Sequence, residues 1–380
     1  MKLICHLLLI AVLGAVIPCH GTAAKRIDNR RVKLHETTDW RIQASFKYDT
    51  LCFLGLLTGD PFYVNYYKNE YAKFEPQLTT TTSAALANLK RKIKDENGNI
   101  ISGFLTLYFS ATNDQTLDDM LRTVQDSERM KRNLKKSPYY NEAGWRLYES
   151  VRPDLRTVFV FLKSIKFEDY WQREILPLVA HKIAEVEKDL PKYNVIAGDE
   201  RLLGFRLPSN KLTVFMLYYS VPHGIRITGM RFITDAAYPF KILIRNAVHE
   251  PMHPPFDLAH DPGLKKALEV LQADTFLMDK IKNHNSSFGY NSFAGFVEED
   301  CVQALEQLIN EKLKVEVEAR RRWKENDDGM HVLAVALYSL MKHENYDGGK
   351  EDFREFLLRM IGSGKLAAGT IKPLYDAFYA

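Results

Sequence analysis

His249 and His253 stand four residues apart with Glu250 beside the first, in the run His249-Glu250-Pro251-Met252-His253. On a helix, residues at that spacing lie one above the other on one face, so the two imidazoles can converge on a single metal ion. A divalent metal polarises a carbonyl and brings the pKa of water towards neutrality. Glu250 is placed to orient that water and to accept its proton. The pattern HExxH therefore predicts metal-assisted hydrolysis, with His249 and His253 as ligands and Glu250 as general base. Pro251 departs from what a helix wants. It removes an N–H and crowds the carbonyl of Ala247, which costs about 3 kcal/mol in a regular helix interior. A kink there lowers the cost, and Pro254-Pro255 ends the helix soon after His253 in any case.

A zinc site needs a third protein ligand, with the fourth position left to water. His260 lies one residue beyond the place that HExxHxxGxxH requires, and Phe256 stands where that pattern needs glycine. Glu298 and Glu299 follow near the start of a long apolar-rich helical stretch. On a helical wheel Glu298 falls among Val297, Cys301, Leu305 and Ile309, whereas Glu299 lies on the flank with Gly295, Val302 and Glu306. A carboxylate on an apolar face needs a partner, and a metal is one. The residues alone leave both glutamates open.

The elements that position these groups follow from the pattern around them. Residues 211–220 are β-branched, aromatic and apolar on both faces, and residues 224–234 alternate, with Gly229 as a bulge. Residues 221–224 turn between them, which predicts an antiparallel pair. From Pro239 a helix carries Phe240, Leu243, Ile244, Ala247 and Val248 as a core-facing stripe, with Ile242, Asn246, His249 and His253 on another face, as a cleft site requires. Only helices follow: 262–271, 275–283, 293–324, 330–343, 353–361 and one after Gly369. Before this region, residues 39–190 read as mostly helical, with Asp60-Pro61 and Arg152-Pro153 opening helices and Gly98 ending one. The fold class is α+β, predominantly helical, with a small antiparallel sheet, a motif helix and a helical carboxy-terminal half.

HExxH completed by a glutamate on a later helix resembles the gluzincins, a class of zincin metallopeptidase, and is similar to a bacterial family of exported zincin-like proteins. In these the ligand glutamate is followed three and four residues on by a small or apolar residue and then a polar one that supports a ligand histidine. Glu299, Val302 and Gln303 match that. The resemblance covers roughly residues 211–306. It implies a zincin-like core holding one zinc ion on His249, His253 and Glu299, with Glu298 as the alternative third ligand, and hydrolysis of peptide bonds with Glu250 as general base. A second expectation is a catalytically inactive zincin-like protein that binds a peptide or a partner in the cell envelope, with Pro251 marking the lost chemistry. An oxyanion donor is expected from the carboxy-terminal helices, where Tyr290, His331 and Tyr338 are available.

Residues 1–24 carry one charge, Lys2, an apolar stretch and a small-residue end at Thr22-Ala23-Ala24, which predicts a secretory signal peptide cleaved after Ala24. Pro18 stands where a lipoprotein box wants a small residue, which argues against acylation of Cys19. The exported chain then comprises a mainly helical region, 25–193, and a metallopeptidase-like region, 194–380, in the periplasm or outside the cell. It keeps Cys52 and Cys301, which can form one bridge or remain buried thiols. With 51 basic residues against 48 acidic ones, neither nucleic acid nor an anionic membrane is implied as partner. No later segment is apolar for long enough to span a bilayer. The run Arg320-Arg321-Arg322-Trp323-Lys324 reads as a solvated helix face.

Overall fold

Lys211–Leu217 is apolar on both faces because it runs through the middle of a sheet, with neighbours on either side. The structure, a computed structural model, describes residues 33–137, 139–258, 260–285, 288–315 and 318–380, together with the backbone of Leu8 and Leu9. The strands are β1 (Leu8–Leu9), β2 (Asp39–Ala44), β3 (Lys211–Leu217), β4 (His223–Ile227) and β5 (Arg231–Asp235), in the spatial order β1-β4-β5-β3-β2. The predicted signal peptide, 1–24, otherwise lies outside the described residues.

The sheet is mixed, not the antiparallel pair expected from the sequence. Gly229 adopts φ 78° and turns the chain, so the alternating stretch 224–234 is a hairpin of two short strands rather than one bulged strand. Ile227 faces Arg231 across it. Because β4 reverses the chain, β5 runs parallel to β3, pairing Thr213 with Arg231 and Leu217 with Asp235. On the other side β2 also runs parallel to β3, from Asp39 opposite Lys211 to Ala44 opposite Met216. The stretch 39–190 is mostly helical, as expected, apart from this opening strand. β1 pairs with His223 and Gly224 on the edge of β4.

Helices surround this sheet. Ser45 caps α1 (Phe46–Leu57), which is buried along its whole length. Asn141 caps α2 (Glu142–Ser164) by accepting the Gly144 N–H, so Pro153 lies inside that helix instead of opening it. α3 (Val195–Leu203) precedes β3, and α4 (Phe240–His249) follows β5 after a short turn. α5 (Phe293–Leu313) was expected to continue to residue 324. It stops where Lys314 takes the left-handed φ of 58° and the Val315 N–H returns to the Asn310 carbonyl at 3.0 Å. α6 (Ala319–Glu325) turns back against it, and α7 (Val332–His343) packs alongside. One cluster of buried apolar side chains extends from Phe46 to Ile371. Among the described residues no helix is long and apolar enough to cross a membrane. Cys52 and Cys301 are both buried free thiols.

Candidate metal centre

Pro251 decides the local geometry. α4 ends at His249, Glu250–Met252 form a 3-10 turn, and His253 is extended at φ −84°, ψ 129°. The two imidazoles therefore do not share one α-helical turn, yet they meet. Their Nε2 atoms are 2.7 Å apart. Glu299 Oε2, from the first turns of α5, lies 3.4 Å from His249 Nε2 and 3.3 Å from His253 Nε2. These three residues are brought together; Glu298 is not part of the triad and sits instead on the outer side of His253, with Oε1 3.2 Å from Nδ1.

The surroundings of each ring fix its protonation. His249 Nδ1 faces Glu306 Oε2 at 2.9 Å, and His253 Nδ1 faces Glu298. A carboxylate accepts, so each Nδ1 carries a proton, which leaves each Nε2 as the atom that could give a lone pair to a metal ion. Glu299 Oε1 accepts from Gln303 Nε2 at 2.8 Å, while its buried Oε2 faces the two imidazole Nε2 atoms at 3.4 and 3.3 Å. Two ring nitrogens and a carboxylate oxygen converging in the interior need a positive charge among them, a proton or a metal ion. The donor set fits a metal: His249, His253 and Glu299 could hold one ion. Burial alone would discharge the rings and protonate the carboxyl. Instead Glu299 and Glu306 raise the pKa of His249, and hydrogen bonds to Glu298 and Glu299 raise that of His253 to about 9. The two rings in turn hold Glu299 well below the usual carboxylate range against the effect of its burial.

A second layer stands behind the triad. Glu306 receives Arg322 and Arg245, and Asn310 Nδ2 donates to its Oε1 at 2.7 Å. Arg322 also reaches Gln303 and Gln307. Burial works against ionising Glu306, but Arg322 outweighs it and pulls the carboxyl far down. Arg322 is thus buried, contrary to the solvated face expected for residues 320–324, because the break at Lys314 brings α6 back onto α5. Gln303 supports the ligand glutamate and not a histidine. One signal could have revealed this layer. Glu299, Gln303, Glu306, Gln307 and Asn310 form a polar stripe at helical spacing beside the apolar face of Val297, Cys301, Leu305 and Ile309, and all five are buried.

Glu250 is 2% exposed, and its Oε1 has no hydrogen-bond partner. Burial raises its pKa from the ordinary value. Its carbonyl accepts from the Arg226 guanidinium of β4, which lies 5.9 Å from the ring of Tyr139. The Tyr139 hydroxyl is buried beside that guanidinium. Gly224 lets β4 approach closely: a Cβ there would lie 3.4 Å from Glu250 Oε1 and 3.0 Å from Asn246 Nδ2. His249 and Glu299 are 1% exposed and His253 is 7%, so the motif is covered and not set in the open cleft that its separate helix face suggested. α4 is packed on that face too, against α3 and α5. Of the expected oxyanion donors, Tyr338 gives its hydroxyl to Glu311, His331 Nδ1 pairs with Asp300 Oδ1 at 2.7 Å, and Tyr290 is buried at φ 58°.

No protein-family model, curated protein or solved structure matches this chain.

Proposed function

We propose that the chain is an exported, zinc-dependent metallopeptidase with a gluzincin-like core, acting on a peptide or protein in the periplasm or outside the cell. The observation that supports this reading is the buried convergence of His249 Nε2, His253 Nε2 and Glu299 Oε2, with each Nδ1 turned to a carboxylate and Glu250 Oε1 without a hydrogen-bond partner in the same motif. Zinc bound there would supply Lewis acidity, polarising the scissile carbonyl and acidifying water. Glu250 orients the attacking water and takes its proton at Oε1. Its raised pKa suits handing that proton on to the leaving amine as the C–N bond breaks. The backbone of β4 offers an edge on which an extended substrate can pair, and β1 occupies that edge at His223 and Gly224. Cleavage after Ala24 would remove β1 and free the edge. Tyr139, with Arg226 against its ring, offers a hydroxyl for the carbonyl oxygen as charge develops on it.

The cover over the triad and the 3-10 turn at Pro251 favour a second reading, a catalytically inactive zincin-like protein that holds a peptide or partner in the cell envelope. Peptide cleavage by zinc-loaded wild type beside zinc-loaded Glu250→Gln separates the two. Turnover by the wild type that is lost in the variant supports the peptidase; no turnover in either, with zinc bound in both, supports the binding protein.

A further inference from the structure

A cavity of about 280 Å³ opens at the start of β4, lined by Phe62, Tyr63, Ile100, His223, Lys94 and Asp95 together with Gly98 and Asn99. Its floor is ordered. Tyr63 OH lies 3.0 Å from His223 Nε2, and the imidazole centroid is 5.9 Å from the Phe62 ring and 5.6 Å from the Tyr63 ring. Lys94 is the cation at this wall, and its ammonium is bonded to the buried Asp60 carboxylate. Gly98, at φ 65°, has open space where a Cβ would be. None of these residues belongs to the metal centre.

The cavity is nevertheless tied to that centre through β4. Successive side chains of a strand point to opposite faces. Gly224 and Arg226 face Glu250, so His223 faces the other way, into the cavity. A peptide paired on the edge of β4 follows the same alternation. Its residue in register with His223 turns towards the cavity, and the next, in register with Gly224, turns towards Glu250. β1 shows that this register can be adopted, with Leu8 opposite His223 and Leu9 opposite Gly224.

Resting on the peptidase reading, we propose that this cavity is the specificity pocket of the site and that it takes an aromatic side chain from the substrate residue adjoining the one that faces Glu250. The walls decide the class. Three rings and Ile100 offer stacking and apolar contact, and the volume admits a large side chain. An acidic side chain would find Lys94 already neutralised by Asp60 and would meet the Asp95 carboxylate on the same wall.

The test has two arms. Zinc-loaded wild type is given a mixed peptide library and the products are sequenced by mass spectrometry. Independently of turnover, N-acetyl-phenylalanine amide, N-acetyl-leucine amide and N-acetyl-glutamate amide are titrated into wild type and into Ile100→Trp, which fills the cavity, and Phe62→Ala, which removes one ring. Aromatic residues enriched at one position beside the cleaved bond, with the preference weakened about tenfold or more in both variants at unchanged zinc content, is the expected result. Cleavage without such a preference, or with one that neither variant moves, overturns the pocket and leaves the peptidase reading standing. If wild type cleaves nothing, that reading falls and the amides decide: phenylalanine amide bound selectively and lost in Ile100→Trp supports the pocket, and no selective binding overturns it.

Discussion

Glu306 Oε2 stands 2.9 Å from His249 Nδ1 while Arg322 and Arg245 hold the same carboxylate from the other side. The His249 ring, one of the three groups that could hold a metal ion, is therefore oriented by a buried ion cluster two helical turns along α5 from Glu299.

Changing Glu306 to Gln keeps the size of the side chain but removes the charge that orients His249. Zinc affinity is expected to fall by about 10–100-fold, the usual effect of losing an orienting carboxylate behind a histidine ligand. Competition with a chromophoric chelator measures it. An unchanged affinity would mean that Glu306 merely neutralises the arginines.

Arg322 and Arg321 are neighbours with opposite fates. Arg322→Met leaves Glu306 short of a buried counter-charge and should destabilise the fold by about 3–5 kcal/mol. Arg321→Ala, on the exposed side of α6, should stay within about 0.5 kcal/mol. Urea unfolding of the two variants checks the contrast, and equal midpoints would contradict the burial of Arg322.

Two carboxyls distant from the triad set a pH dependence. Burial pushes Asp49 up to about 7 even though it accepts from Trp171, Tyr218 and Tyr219, and burial likewise raises Asp235 to about 7. Unfolded, both titrate near 3.8. Between those values the folded chain binds the extra protons, so the stability they contribute is complete below about pH 4 and is lost as pH rises through 7. Each contributes a slope of at most about 1.4 kcal/mol per pH unit. Urea midpoints at pH 5 and pH 8 should differ less in Asp49→Asn than in wild type. An identical pH slope in the variant would show that Asp49 is ionised throughout.

Tyr139 gives the activity test for the covered face of the site. Its hydroxyl has the Arg226 guanidinium beside it and no part in the metal triad, so Tyr139→Phe should cost little stability and leave zinc content unaltered. If the hydroxyl meets the developing oxyanion, kcat should fall about 10²–10³-fold with little change in KM. An unaffected kcat, in a variant that still binds zinc, would remove Tyr139 from the chemistry.

The motif and the two candidate glutamates were legible because they rest on residue type and spacing, and the helix Thr275–Asn283 has the bounds read from the sequence. What escaped the sequence has identifiable causes. α5 ends at a lysine in the left-handed region, with no glycine or proline to announce it, and that hidden break is what turns Arg322 inward. Gly229 marks both a bulge and a hairpin turn equally well, so the direction of β5 and the mixed sheet could not be told from local pattern. β2 is six residues long and completes its pairing with residues more than 170 positions away, a contact invisible to any local window. The choice between Glu298 and Glu299 turned on how α5 is rotated against α4, which a wheel drawn for one helix does not contain.

Elemental analysis for zinc in the purified protein, comparing wild type with His249→Ala, Glu299→Ala and Glu298→Ala, tests the metal centre most directly. Near one zinc per chain is predicted for wild type, with the metal lost from His249→Ala and Glu299→Ala but retained, more weakly held, in Glu298→Ala. Wild type that stays metal-free after zinc is supplied, or zinc that survives the change at Glu299 and is lost with Glu298, would contradict it.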